Sequence, residues 1–164
     1  MAEFMPEPVT APRGRLSNLR EDIHIHAPYN IVRDRLLAIS RHGDWLGPHF
    51  RDYEADGEAL AFTLALPGRN ETGRLTVDDS DQFGVRYTRN GAGGEIAEMN
   101  WAIHVETAQD VHLTVETVFE PRGGLLGPLL ELALLRPQRT QALRDSIWNL
   151  KHVIEREHPR QPIV

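Results

Sequence analysis

Residues 95–120, EIAEMNWAIHVETAQDVHLTVETVFE, decide the fold, because apolar and polar side chains alternate along two consecutive segments. In the first segment Met99 and Trp101 point to one side, and their polar neighbours point to the other. After a short polar link the alternation resumes with Leu113 and continues to Phe119. A link this short joins antiparallel neighbours, so the stretch predicts a hairpin with one covered and one solvated face.

The same period of two extends upstream, interrupted by clusters of turn-forming residues. It predicts six strands, at His49–Ala55, Glu58–Leu66, Gly73–Asp79, Gln82–Arg89, Glu95–Thr107 and Val111–Glu120. A further strand is predicted at Leu19–His26, followed by a short helix that begins at Tyr29.

One long helix, Gln138–Glu157, is predicted after Pro137, with Leu143 and Ile147 on its apolar stripe. As the only long helix, it must cover the single apolar face of the sheet. The predicted fold class is therefore α+β, a curved antiparallel seven-stranded sheet wrapped around a long C-terminal helix.

Length and composition indicate one domain in this chain of 164 residues. We expect a flexible segment at 1–18, a single ligand-binding domain at 19–157 and a flexible tail at 158–164. The net charge of −6 argues against nucleic acid and anionic membranes as partners. No apolar run is long enough for membrane insertion, and no secretory signal is recognisable, so a cytoplasmic location is expected.

The apolar face of the sheet and the helix stripe form the candidate ligand site. From the residues alone, this face is equally well a packed core or the wall of a pocket. The polar groups of Tyr87 and Thr117 would lie among the apolar side chains. The candidate wall residues are Phe62, Leu64, Tyr87, Trp101, Ile103, Leu113, Phe119, Leu143 and Ile147.

Three polar residues share one face of the second predicted strand: His49, Arg51 and Tyr53. If that face is covered, Arg51 can anchor an acid or phenolate of the ligand, with Tyr53 beside it. The alternative is that the strand lies at a solvent edge with Arg51 outside, because arginine is rarely buried without a partner.

Four histidines, His24, His26, His104 and His112, are predicted on the outer face of the sheet. Zinc takes three or four ligands, and the sequence spacing fixes no further ligand beside these histidines. The prediction is therefore a solvated face and no metal. The chain has no cysteine and no phosphate-binding or dinucleotide-binding motif, so no cofactor is predicted either.

The order of elements resembles the START-like (SRPBCC) helix-grip superfamily, which includes polyketide cyclase/dehydrase and lipid-transport proteins. The resemblance covers residues 19–157, and Arg33 departs from it, since many members have an aromatic residue there. The residues that carry it are Ala27-Pro28 with Val32 and Leu36, the hairpin from Met99-Asn100-Trp101 to Phe119, Gly124-Leu125-Leu126-Gly127, Leu150-Lys151 and Glu155.

The resemblance implies a deep cavity between sheet and helix that binds or transports a hydrophobic small molecule: a lipid, a polyketide or an aromatic compound. Its mouth is expected near Gly91–Gly94 and Gly123–Gly124. The alternative is a polyketide cyclase, aromatase or dehydratase acting in the same cavity. The groups available for that chemistry are His49, Arg51, Tyr53 and Tyr87. None of them has the paired spacing that a proton donor and acceptor would need, so catalytic residues stay unassigned and the question of catalysis stays open. Ligand identity and oligomeric state are also left open.

Overall fold

Seven strands form one antiparallel sheet in the computed structural model, which describes residues 17–91, 94–120 and 134–159. The sheet is curved and unclosed, and a long C-terminal helix lies against it. In chain order the elements are β1 (Ser17–Ile25), α1 (Tyr29–Leu37), a 3-10 helix (Ile39–Asp44), β2 (Phe50–Asp56), β3 (Ala59–Leu66), β4 (Arg69–Asp78), β5 (Gly84–Arg89), β6 (Ile96–Thr107), β7 (Asp110–Phe119) and α2 (Arg136–Glu157).

The predicted fold class is confirmed, with differences at some element ends. Strand β4 begins at Arg69 rather than Gly73, because the turn from β3 consists of Pro67 and Gly68 alone. Gly68 has a φ of +77°, which a residue with a side chain rarely adopts. Helix α2 begins at Arg136, since Pro137 sits in its first turn, where a missing N–H costs no hydrogen bond.

The strand order is β1-β7-β6-β5-β4-β3-β2, so the first strand pairs with the last. The pairing places Ile23 opposite Leu113, and Leu113 opposite Ile103, on the inner face. Helix α2 packs on this face and contacts β1 and α1. Its inward side chains, among them Leu143 and Ile147, are buried, as the helical stripe predicts.

One cross-strand contact on the inner face depends on a glycine. The ring of Phe62 in β3 lies directly over Gly73 in β4, its register partner. A Cβ atom at position 73 would come within 2.5 Å of the Phe62 ring. The missing side chain of Gly73 therefore makes the space that the phenyl ring fills.

Neither helix in the described part of the chain is both long and apolar enough to cross a membrane.

Candidate functional site

The inner face of the sheet and helix α2 bring all nine predicted wall residues together. None of these side chains is more than 4% exposed, so all of them are buried. The residues placed together in this layer are Phe62, Leu64, Tyr87, Trp101, Ile103, Leu113, Phe119, Leu143 and Ile147.

The remaining two predicted residues, Arg51 and Tyr53, do not share a face as the sequence suggests. Strand β2 is an edge strand, and its pairing with β3 shifts register between Arg51 and Glu54. Asp52 at this irregularity has a φ of +52°. The side chain of Arg51 is exposed, whereas the Tyr53 hydroxyl donates a hydrogen bond to the carbonyl of Ile39 at 2.6 Å. The period of two fails at this irregularity because an extra residue reverses the alternation.

An aromatic cluster fills the layer between the 3-10 helix and strands β5 and β6. The ring of His42 lies 4.7 Å from that of Trp45 and 5.8 Å from that of Tyr87, measured between ring centroids. Trp45 meets Trp101 edge to face at 5.8 Å. The stretch from His42 to Pro48, HGDWLGP, is predicted from the sequence as a turn that carries a partly buried Trp45. This prediction misses His42, which is buried because the 3-10 helix turns it inward.

One backbone carbonyl organises the polar groups of the aromatic cluster. The Leu36 oxygen accepts the Tyr87 hydroxyl at 2.6 Å and lies 3.0 Å from His42 Nε2. The Tyr87 oxygen and His42 Nε2 are 3.4 Å apart. Two titratable groups thus converge on one point inside the protein.

Burial sets the protonation of both groups. Desolvation lowers the pKa of His42 to about 4. Desolvation also raises the pKa of Tyr87 well above its usual value, with a smaller contribution from Tyr53. At neutral pH the site therefore holds a neutral imidazole beside a protonated phenol.

The low pKa of His42 predicts a loss of stability in acid. An unfolded histidine takes up its proton at about pH 6.5, while folded His42 does so at about pH 4. Between these values the unfolded state binds more protons, so stability falls as the pH falls. By pH 4 this difference should amount to about 3 kcal/mol.

The measurement is urea unfolding of the native protein and of His42→Phe at several pH values between 7 and 4. We expect His42→Phe to lose most of this pH dependence, and the matched exposed variant His104→Phe to retain it. If the stability of His42→Phe falls as steeply between pH 7 and pH 4 as that of the native protein, His42 is not the cause of this pH dependence.

Two indole N–H groups of the aromatic cluster, Trp45 Nε1 and Trp101 Nε1, are buried without a hydrogen-bond partner among the described residues. The hydroxyl of Thr117, also on the inner face, is likewise buried without a hydrogen-bond partner among the described residues. A buried polar group without a partner costs about 1–3 kcal/mol. Buried tryptophans usually find an acceptor, so these donors are unusual for a purely structural core.

A buried ion pair lies at the opposite end of the layer, near the start of α2. Arg139 donates from Nε and from NH2 to the two carboxylate oxygens of Glu71 in β4, each at 2.5 Å. Both side chains are fully buried, and the guanidinium lies 4.3 Å above the ring of Phe119. The sequence contains a signal for this pair that the prediction missed. Arg139 precedes Leu143 by one helical turn on the apolar stripe, and Glu71 is in phase with the inward-facing Leu75.

Solved structures show the same architecture, although no protein-family model and no curated protein sequence matches the chain. An aromatase/cyclase from a Streptomyces species has a TM-score of 0.69 at 16% identity, covering 92% of this chain and 100% of its own. A START superfamily protein from Mycobacterium smegmatis has a TM-score of 0.66 at 11% identity, over 85% and 98% of the chains. A protein from Thermus thermophilus has a TM-score of 0.72 at 13% identity, over 87% and 99%. This chain has the START-like helix-grip fold.

At these identities the likeness establishes the START-like fold and leaves the ligand unassigned. The neighbour described as an aromatase/cyclase and the one described as a START superfamily protein both resemble this chain in fold. The function of this chain therefore has to be inferred from its own interior side chains.

An open groove of about 650 Å³ runs along β2, β3 and β4. Leu60 and Leu75 line the groove and also belong to the buried layer, so groove and interior share a wall. The groove reaches Asn90, next to the Gly91–Gly94 loop where the sequence predicts the cavity mouth. Gly91 and Gly94 both have positive φ. The other predicted part of the mouth, Gly123–Gly124, lies outside the described residues.

Proposed function

We propose that the protein binds, and carries, a hydrophobic small molecule between the inner face of the sheet and helix α2. The ligand class is a lipid, a polyketide or an aromatic compound. The observation that carries the proposal is the pair of buried indole donors, Trp45 Nε1 and Trp101 Nε1, which have no acceptor among the described residues. A ligand carbonyl or phenolic oxygen would supply that acceptor, while the surrounding apolar side chains would bury its rings or acyl chain.

Affinity in this proposal comes mainly from burial. Removal of apolar surface from water contributes about 25 cal/mol per Å² before the costs of association. After those costs, a dissociation constant near 1 μM is expected.

The test uses two bicyclic probes of similar shape, 2-acetylnaphthalene, which has a carbonyl acceptor, and 2-ethylnaphthalene, which has none. Binding is measured by calorimetry, and native mass spectrometry of the freshly purified protein reports any retained natural ligand. Trp101→Phe keeps an aromatic ring and removes the N–H. The smaller ring affects both probes, so the lost N–H should weaken binding of the acetyl probe about tenfold more than binding of the ethyl probe.

The matched control is Trp148→Phe, because Trp148 is half exposed on the outer side of α2. It should leave both affinities unchanged. Failure of the native protein to bind either probe, together with no retained ligand in the mass spectrum, would rule out the carrier function.

A second candidate function is supported by the 3.4 Å approach of His42 Nε2 and the Tyr87 hydroxyl. Once its Nε2 is released from the Leu36 carbonyl and its proton lies on Nδ1, the neutral imidazole can remove a proton from the carbon between two carbonyls. The phenol can then donate a proton to the carbonyl oxygen that becomes a hydroxyl when this carbon attacks. The pair would thus serve a cyclase, aromatase or dehydratase. Incubation with a linear poly-β-ketone separates the two functions, because a carrier returns it unchanged. A cyclase returns a cyclic hydroxy ketone of the same mass, or the product lighter by one water after the new hydroxyl is eliminated, and Tyr87→Phe should abolish that conversion.

A further inference from the structure

A cluster of histidines and carboxylates lies on the outer face, at the end of the sheet where β1 meets the β6–β7 hairpin. We call His24, His26, Glu106 and Asp110 the outer cluster. The sequence spacing fixes no carboxylate or third histidine as a further ligand here, so the sequence predicts no metal. Pairing of β1 with β7 sets His24 opposite His112 and brings Asp110 beside both cluster histidines.

Three ligand atoms of the outer cluster converge on one point. Asp110 Oδ1 is 3.3 Å from His24 Nε2 and 2.7 Å from His26 Nδ1. A tetrahedral ion with bonds of about 2.1 Å holds its ligand atoms about 3.4 Å apart. The His24–Asp110 distance already matches this spacing, the His26–Asp110 distance is shorter, and all three ligand atoms lie within 4.8 Å of one another.

Two of the proposed ligands are oriented by hydrogen-bond partners of the kind found around metal sites. His24 Nδ1 lies 2.8 Å from Glu106 Oε2, so this carboxylate can accept the ring N–H and leave Nε2 free to bind an ion. The second oxygen of Asp110 accepts the Thr107 hydroxyl at 2.7 Å, which fixes the direction of Oδ1. Asp110 is also the most buried of these side chains, at 15% exposure.

Helix α2 holds the backbone that carries the two histidines. Lys151 Nζ donates to the His24 carbonyl at 2.6 Å, and the His26 N–H donates to Glu155 Oε1 at 2.9 Å. Lys151 also pairs with Glu155, which offsets the charge of this ammonium. The backbone at the end of β1, which carries both histidines, is therefore held in place by α2.

We propose that His24 Nε2, His26 Nδ1 and Asp110 Oδ1 bind a divalent cation of the zinc class, with water at the remaining position. The charge of the region favours a cation, because the histidines here face the carboxylates of Asp22, Glu106 and Asp110.

The test titrates untagged, chelator-treated protein with zinc chloride by calorimetry and with cobalt chloride by visible absorption. The native protein should bind one ion per chain, and zinc should raise its thermal midpoint. His26→Gln and Asp110→Asn should each lower the affinity at least about tenfold, and Glu106→Gln should lower it by about 10–100-fold through His24. His104→Gln, on the same face but outside the outer cluster, is the matched control and should bind as the native protein does.

Absence of stoichiometric binding by the native protein would overturn the proposal and leave the outer cluster as a set of histidine–carboxylate ion pairs. Binding that survives His26→Gln and Asp110→Asn unchanged, or that His104→Gln weakens equally, would overturn it as well. Should His26→Gln fail to fold, Glu106→Gln still decides the matter, because Glu106 is partly exposed.

Discussion

Replacement of Arg139 by methionine is expected to lower the free energy of unfolding by about 3–5 kcal/mol. The variant keeps much of the side-chain volume but removes the guanidinium that neutralises Glu71. Both side chains are fully buried, so Glu71 would be left as a charge inside the protein without its cation. The contact between the guanidinium and the ring of Phe119 would be lost as well.

The double variant Arg139→Met/Glu71→Leu provides the control. Removal of both charges should recover most of the lost stability, because apolar residues of similar size often replace a buried ion pair without cost. Urea unfolding followed by tryptophan fluorescence gives the four free energies of a double-mutant cycle. If Arg139→Met alone costs no more than a surface substitution, about 0.5 kcal/mol, the pair is not buried as described.

Replacement of Leu150 by alanine should cost about 2–5 kcal/mol. Leu150 is completely buried where α2 packs on the sheet, and the shortened side chain would leave a cavity that the helix cannot close. Its neighbour Asn149 is exposed, so Asn149→Ala is the matched control and should change stability by less than about 0.5 kcal/mol. An unchanged thermal midpoint for Leu150→Ala would mean that α2 packs elsewhere.

The sequence predicts the elements of this fold well because their signals are local. The alternation that ends at Phe119 is sufficient to define β7, and the stripe through Leu143 and Ile147 is sufficient to define α2. The irregularity at Asp52 has no such signal, since one extra residue in an edge strand leaves the composition unchanged.

The candidate sites are less accessible to sequence reasoning, because strand pairing and burial create them. His24 and Asp110 become neighbours only when β1 pairs with β7. His42 is predicted as a turn residue, and only the 3-10 helix buries it beside Tyr87. Arg139 is the exception, since a charge on an apolar helical stripe signals a buried partner.

The pairing of β1 with β7 also has a consequence for the order of folding. During synthesis β1 leaves the ribosome long before the strand that it pairs with, and its backbone donors and acceptors stay open until then. Contacts between distant parts of a chain are slow to form, because a large loop must close first. Folding of this chain is therefore expected to finish with the docking of β1, and the outer cluster, half of which lies on that strand end, is assembled at the same late step.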